Sequence, residues 1–125
     1  MKKKKTINSA KLMKKLKNKA WKLMSLWVRK RDKFCFTCNG PVQQAGHWKH
    51  GVCDYEDWNI HGQCIKCNYF NSGAGTTYTL RMIDLYGLEK VKEYERIAAQ
   101  KKGYKYRIEE LNNIILDLTK KLNSE

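Results

Sequence analysis

No stretch of this sequence approaches the roughly 20 consecutive apolar residues that a membrane-spanning helix needs, which excludes that class. The lysine-rich start has no apolar segment behind it, so it does not read as a secretory signal. The cysteines number five, and an odd count argues against a fully paired secreted disulfide scaffold. Together these absences predict a protein of the reducing cytoplasm whose cysteines serve as metal ligands rather than disulfides. Proline occurs once, at Pro41, where with Asn39 and Gly40 it marks a turn. Acidic residues are almost missing from the N-terminal arm: Met1 to Lys33 holds 14 basic residues against the single acid Asp32.

What is present is compact and basic. The 125 residues suffice for one domain with an appended helical arm, and a core so small gains from a structural metal. The net charge of +14 is nearly all on that arm, because the 92 residues after Lys33 carry 12 bases and 11 acids. Charge so placed suits a polyanion, since each neutralised phosphate releases counterions and binding weakens steeply with salt. A solubilising lysine tail and an anionic membrane surface are the alternatives.

Periodicity divides the chain into three parts, 1–33, 34–75 and 76–125. Residues 1 to about 8 read as disordered. From about Ser9 to Arg31 the residues Leu12, Leu16, Ala20, Leu23 and Trp27 recur three or four apart, one face of a basic amphipathic helix. Residues 34–75 are short-paced and glycine-punctuated, predicting a β-hairpin and then a helix beginning near Cys64. Beyond Thr76, Tyr78, Met82 and Leu85 share a helical face up to Gly87, which is expected to close the helix with a left-handed cap. Leu88, Val91, Tyr94 and Ala98 predict another helix ending near Gly103. Ile108, Leu111, Ile115, Leu118 and Leu122 then form a short coiled-coil-like seam, for the N-terminal helix or for a second subunit in a homodimer.

Two Cys-x-x-Cys knuckles, Cys35/Cys38 and Cys64/Cys67, carry the strongest chemical signal. Thiolates at that spacing suit one tetrahedral Zn²⁺, each knuckle supplying two ligands from a tight turn. Cys53 has no partner at knuckle spacing and is expected to be a free thiol. A zinc ribbon alone would not account for His47, Asn59 and His61 between the knuckles, or for Asn68 directly after the last cysteine.

The stretch Asn59-Ile60-His61-Gly62-Gln63-Cys64-Ile65-Lys66-Cys67-Asn68, with His47 twelve residues before Asn59, resembles the HNH, or ββα-metal, nucleases. The resemblance narrows further. Ala45-Gly46-His47-Trp48, the run Trp58 to Cys64, and Cys67-Asn68-Tyr69-Phe70-Asn71-Ser72-Gly73 are similar to the phage NinG (Rap) recombination proteins. So are the flanks Val28-Arg29-Lys30-Arg31-Asp32 and Leu85-Tyr86-Gly87. Ala74 departs from the pattern, which expects asparagine there. The resemblance implies an α+β fold, with a zinc-stapled ββα-metal core flanked by a basic N-terminal helix and C-terminal helices. It further implies a structure-specific endonuclease cutting branched DNA such as Holliday junctions and D-loops.

On that reading His47 is the general base, because imidazole titrates near neutral pH. Asn68 is the oxygen ligand of a catalytic Mg²⁺ or Mn²⁺, and Asn59 braces the loop through backbone hydrogen bonds. Asparagines at such positions also serve as ordinary turn and helix caps. Many HNH enzymes carry an acid just before the base, but here Gly46 has no side chain. His61 is therefore assigned as the second ligand, ahead of Asn71, Asp54 and Asp57. Arg29, Lys30, Arg31 and Lys33 are placed on the phosphate backbone, where contacts position without reading sequence. His50 is read as a loop or phosphate contact. Of the four tryptophans, Trp21 and Trp27 read as packing, and Trp48 as the substrate-stacking candidate. Two other function classes are a non-catalytic zinc-stabilised nucleic-acid-binding module and a protein-interaction adaptor using the C-terminal helices.

Overall fold

Lysine is a good helix former, and no glycine or proline interrupts the first 39 residues, so the chain opens with one long helix. A computed structural model describes residues 2–124, with side chains from residue 9 onward. Its elements run α1 (Lys2–Arg31), β1 (Gln44–His47), β2 (Ile60–Gln63), α2 (Gly75–Tyr86), α3 (Leu88–Lys101) and α4 (Ile108–Asn123). The segment expected to be disordered is thus helical from Lys2, while Met1 lies outside the described residues. The architecture is mixed helix with a small two-stranded sheet. None of the described helices is long and apolar enough to cross a membrane.

The chain forms two units, Met1–Trp27 with Lys105–Glu125, and Val28–Tyr104. In the first, Ala20 and Met24 of α1 and Leu111 and Leu118 of α4 are buried. The two most buried leucines are seven residues apart, as a coiled-coil seam requires. Lys121 sits 4.9 Å over the Trp27 ring, so α4 lies beside α1 within this unit. Glu109 and Glu110 in the first turn of α4 and Lys120 and Lys121 in its last complement the helix dipole.

In the second unit β1 and β2 pair antiparallel, in the register Gln44–Gln63, Ala45–Gly62, Gly46–His61 and His47–Ile60. A two-stranded ribbon is marginal alone, and this one is backed by an aromatic core. Trp48, Trp58, Tyr78, Met82 and Val91 are buried there, with Phe36, Ile83, Tyr86 and Tyr94 packed against them. Trp58 stacks on Tyr94 at 4.4 Å and meets Trp48 edge-on. Leu85, expected on the buried face of α2, is 59 % exposed. Positions 78, 82 and 86 sit one above another on a helix, so Tyr86 takes that place instead.

Two further expectations are corrected. The helix after the second knuckle is a single wide turn, Lys66–Phe70, in which the Asn71 N–H donates to the Lys66 carbonyl, an i→i+5 bond. Positive φ at Ser72, Gly73 and Ala74 (51°, 88° and 55°) then stops it before α2 begins. Gly87 has φ 89° and ψ 152°, which is extended mirror-image backbone open to glycine rather than a left-handed helical cap.

Candidate metal centre and adjoining site

The first knuckle turns tightly: Asn39 donates to the Cys35 carbonyl at 2.8 Å, with Asn39 itself at φ 67°. In the second, the Cys67 N–H points at Cys64 Sγ, 3.4 Å away. The four sulfurs of Cys35, Cys38, Cys64 and Cys67 all lie within 4.8 Å of one another. Zinc–sulfur bonds of about 2.3 Å place tetrahedral sulfurs about 3.8 Å apart, and Cys38 and Cys64 are 3.6 Å apart. The group could hold one zinc ion. The thiols differ in how readily they ionise. Burial pushes the Cys67 thiol up to about 12. Burial also opposes ionisation of Cys35, yet the Thr37 hydroxyl and the amides of Cys64, Cys38 and Thr37 bring it down to about 6. Cys53 stands apart in the aromatic core, buried, with its thiol pushed up by that burial.

A hydrogen-bond chain leads from this centre to the hairpin. Thr37 Oγ1 accepts from Gln63 Nε2 at 3.0 Å and lies 3.4 Å from Cys35 Sγ. Gln63 Nε2 also donates to the Gly73 carbonyl at 3.0 Å. A carbonyl only accepts, which fixes the orientation of the amide. Gln63 Oε1 is then aimed at Gly46, and it is buried without a hydrogen-bond partner. A Cβ on Gly46 would overlap that oxygen and stand 2.6 Å from Asn68 Oδ1. Asn68 is held by its Nδ2 donating to Gln44 Oε1 at 2.8 Å, and its backbone N–H bonds the Cys64 carbonyl.

His47 ends β1. Its Nε2 lies 3.2 Å from the Asp54 carbonyl, and since that group only accepts, the proton is on Nε2 and the lone pair on Nδ1. Burial lowers the His47 pKa, outweighing the Asp54 carbonyl and carboxylate, so the ring is neutral at neutral pH. The His50 ring is 6.1 Å from it and exposed, and a Cβ on Gly73 would lie 3.5 Å from His50 Nε2. Gly46 opposes His61 and Gln63 opposes Gln44, and strand alternation sets these four on one face of the hairpin and His47 on the other.

Asn59 is completely buried and clips the connection between the strands. Its Oδ1 accepts from the Lys49 N–H at 2.8 Å, and its Nδ2 donates to the carbonyls of Lys49, Val52 and Cys53. Its atoms are fully used in backbone bonds.

Three assignments change. His61 does not face an ion: Nδ1 is 3.0 Å from the Tyr78 hydroxyl and Nε2 is 2.9 Å from that of Tyr86. Its ring stacks on Phe36 at 4.0 Å, and burial, then Arg31, lower its pKa to about 3. Trp48 is 7 % exposed and donates its indole N–H to Thr79, so it packs the core and offers no stacking face. Arg31 grips Asp32 with two nitrogens, at 2.7 and 2.9 Å, and donates to the carbonyls of Asp57 and Ile60. Asp32 in turn accepts from the Gly62 N–H at 2.7 Å. Arg31 therefore pins the end of α1 to β2 rather than reaching for phosphate. Arg29, Lys30 and Lys33 are exposed.

The large exposed aromatics lie elsewhere. Tyr69 and Phe70, 72 % and 71 % exposed, form an edge-on pair directly after Asn68. Sequence period alone gives no sign of which way a five-residue turn points its side chains. Gln63 was equally unmarked, since a glutamine carries no metal or acid–base signature in sequence.

The protein-family model described as "Bacteriophage Lambda NinG protein" matches residues 1–124. Among curated relatives, the chain is 27 % identical over 112 residues to "Protein ninG" of Salmonella phage P22, covering 82 % of this chain and 54 % of that protein. It is 28 % identical over 112 residues to "Protein ninG" of Escherichia phage lambda, covering 82 % and 53 %. The chain thus spans about half the length of the curated relatives it matches. No solved structure matches. With its four-cysteine centre and the matched residues running through both units, the chain belongs to the phage NinG family.

Proposed function

We propose that this protein is an HNH-type, divalent-metal-dependent endonuclease acting on branched recombination DNA in the host cytoplasm, its zinc-stapled hairpin and following turn serving as a ββα-metal core. The observation that carries this reading is the neutral, oriented imidazole of His47 at the end of the hairpin that the two knuckles flank. His47 Nδ1 takes a proton from the attacking water, and the imidazolium that forms retains its Nε2–H bond to the Asp54 carbonyl. Water oxygen bonds to phosphorus, the P–O3′ bond breaks, and the departing 3′ oxygen takes a proton from solvent. A divalent cation, when bound, neutralises charge on the phosphate and the leaving oxygen. Asn68 supplies a neutral oxygen toward it, and Asn59 holds the loop that carries Asp54. Exposed Arg29, Lys30 and Lys33 and the basic arm supply backbone affinity without sequence reading.

The test is cleavage of a synthetic four-way junction with Mg²⁺ or Mn²⁺. Wild type should cut, and His47→Ala should bind the junction without cutting it. Cutting that persists in His47→Ala removes the base assignment. Binding without cleavage across metals and branched substrates replaces the nuclease with a zinc-stabilised binding module.

A further inference from the structure

We infer that Gln63 Oε1 and Asn68 Oδ1, which converge against Gly46, together form the protein's cradle for a divalent cation. This rests on the nuclease reading of Asn68 and adds Gln63 as the second ligand. Three observations converge. Gln63 Oε1 is buried and without a hydrogen-bond donor, a costly state for a carbonyl oxygen in a well-packed interior. Its orientation is imposed, because Nε2 is committed to Thr37 and to the carbonyl of Gly73. A side chain at position 46 would overlap Gln63 Oε1 and press on Asn68 Oδ1, so both oxygens lie against the same glycine.

Two acceptor oxygens that converge on one glycine repel each other unless something positive or donating lies between them. Amide carbonyls are ordinary ligands of hard cations, at about 2.1 Å for Mg²⁺. Both residues are held from the zinc-ligand segments: Gln63 precedes Cys64 and Asn68 follows Cys67. Thr37 joins Gln63 to Cys35, so the spacing of the two oxygens is tied to the four sulfurs. Neither ligand carries charge. The ion keeps its full charge for a phosphate oxygen, which makes the site weak alone and stronger with an anion present.

The deciding measurement is an Mg²⁺ titration of the zinc-loaded full chain, following side-chain carbonyl ¹³C resonances of glutamine and asparagine. Gln63 and Asn68 should move together with one midpoint, while Gln100 on α3 stays still. In parallel, Gln63→Ala should weaken Mn²⁺ binding at least tenfold by electron paramagnetic resonance, with zinc content unchanged. If that variant does not fold, the wild-type titration decides. Asn68 moving while Gln63 stays still overturns Gln63 as a ligand and leaves the nuclease reading intact. Neither moving, with His47-dependent cleavage present, places the ion elsewhere and overturns the cradle alone. Neither moving, with no cleavage of any branched substrate, overturns both.

Discussion

The hydroxyl of Tyr78 donates to the carbonyl of Gly46 at 2.8 Å, tying α2 to the strand residue that precedes His47. Having given its proton away, that hydroxyl must accept from His61 Nδ1, so His61 Nε2 in turn accepts from Tyr86. The order Tyr86, His61, Tyr78, Gly46 is therefore fixed without seeing a hydrogen. Tyr78→Phe breaks it in the middle, stranding the His61 ring N–H in the interior and removing one of the bonds to the Gly46 carbonyl. We expect a loss of roughly 2–4 kcal/mol in urea unfolding of the zinc-loaded protein. Tyr86→Phe, at the half-buried end, should cost clearly less, and equal small losses would show that the relay is not formed.

His61 also sets an acid limit. Burial lowers its folded pKa to about 3, against an ordinary value of 6.5. As pH falls below 6.5 the unfolded chain takes up the proton first, so stability that is whole above that value drains away between 6.5 and 3. The slope is at most about 1.4 kcal/mol per pH unit. Thiolate protonation contributes acid lability too, but it cancels in the difference between wild type and His61→Phe. That difference, from thermal melts between pH 7 and pH 4, should narrow as pH falls; a constant gap would refute the assignment.

Asn59 offers a test by charge. Its Nδ2 faces three carbonyls, of Lys49, Val52 and Cys53. Asn59→Ala should cost on the order of 3 kcal/mol. Asn59→Asp keeps the acceptor for the Lys49 N–H but turns a carboxylate toward those carbonyls. At pH 7 it should be at least as destabilised as the alanine variant. It should regain stability relative to Asn59→Ala as pH falls and the acid protonates, read from melts of both variants side by side.

Tyr69 and Phe70 separate binding from folding. Both are largely exposed, so Tyr69→Ala and Phe70→Ala should each change stability by no more than about 0.5 kcal/mol. If unpaired bases stack on them, each substitution should weaken binding of a four-way junction by about 1–3 kcal/mol in a fluorescence anisotropy titration. Unchanged affinity would leave the pair as surface.

Much of this was legible in the sequence because it is written in spacing. The knuckles, the hairpin between them, α3 and the heptad of α4 all follow from intervals that survive folding unchanged. What was not legible depends on direction. His61 reads as a polar residue in an apolar stretch, and nothing local says that two tyrosines 17 and 25 residues later will occupy both its nitrogens. Arg31 looks like one more base in a basic arm until Asp32, Asp57 and Ile60 are seen around it. Trp48 sits beside His47 in sequence, but strand alternation turns it into the core. Ala74 departs from the family pattern, and the backbone supplies the reason for the asparagine expected there. It stands at φ 55° and ψ 50°, a left-handed conformation that asparagine tolerates better than alanine.

The two knuckles stand outside the hairpin on either side, Cys35 and Cys38 before β1 and Cys64 and Cys67 after β2. An ion across Cys38 and Cys64 would close a ring whose ends are 26 residues apart, and the strands, the Asn59 clip and the His47 loop all lie inside it. Ring closure acts on the unfolded chain, cutting the conformations lost when a short ribbon forms. Unlike a disulfide, this closure is reversible in a reducing compartment and depends on metal supply. Removing the zinc would thus not erode one corner of the site; it would open the ring at both ends of the ribbon at once.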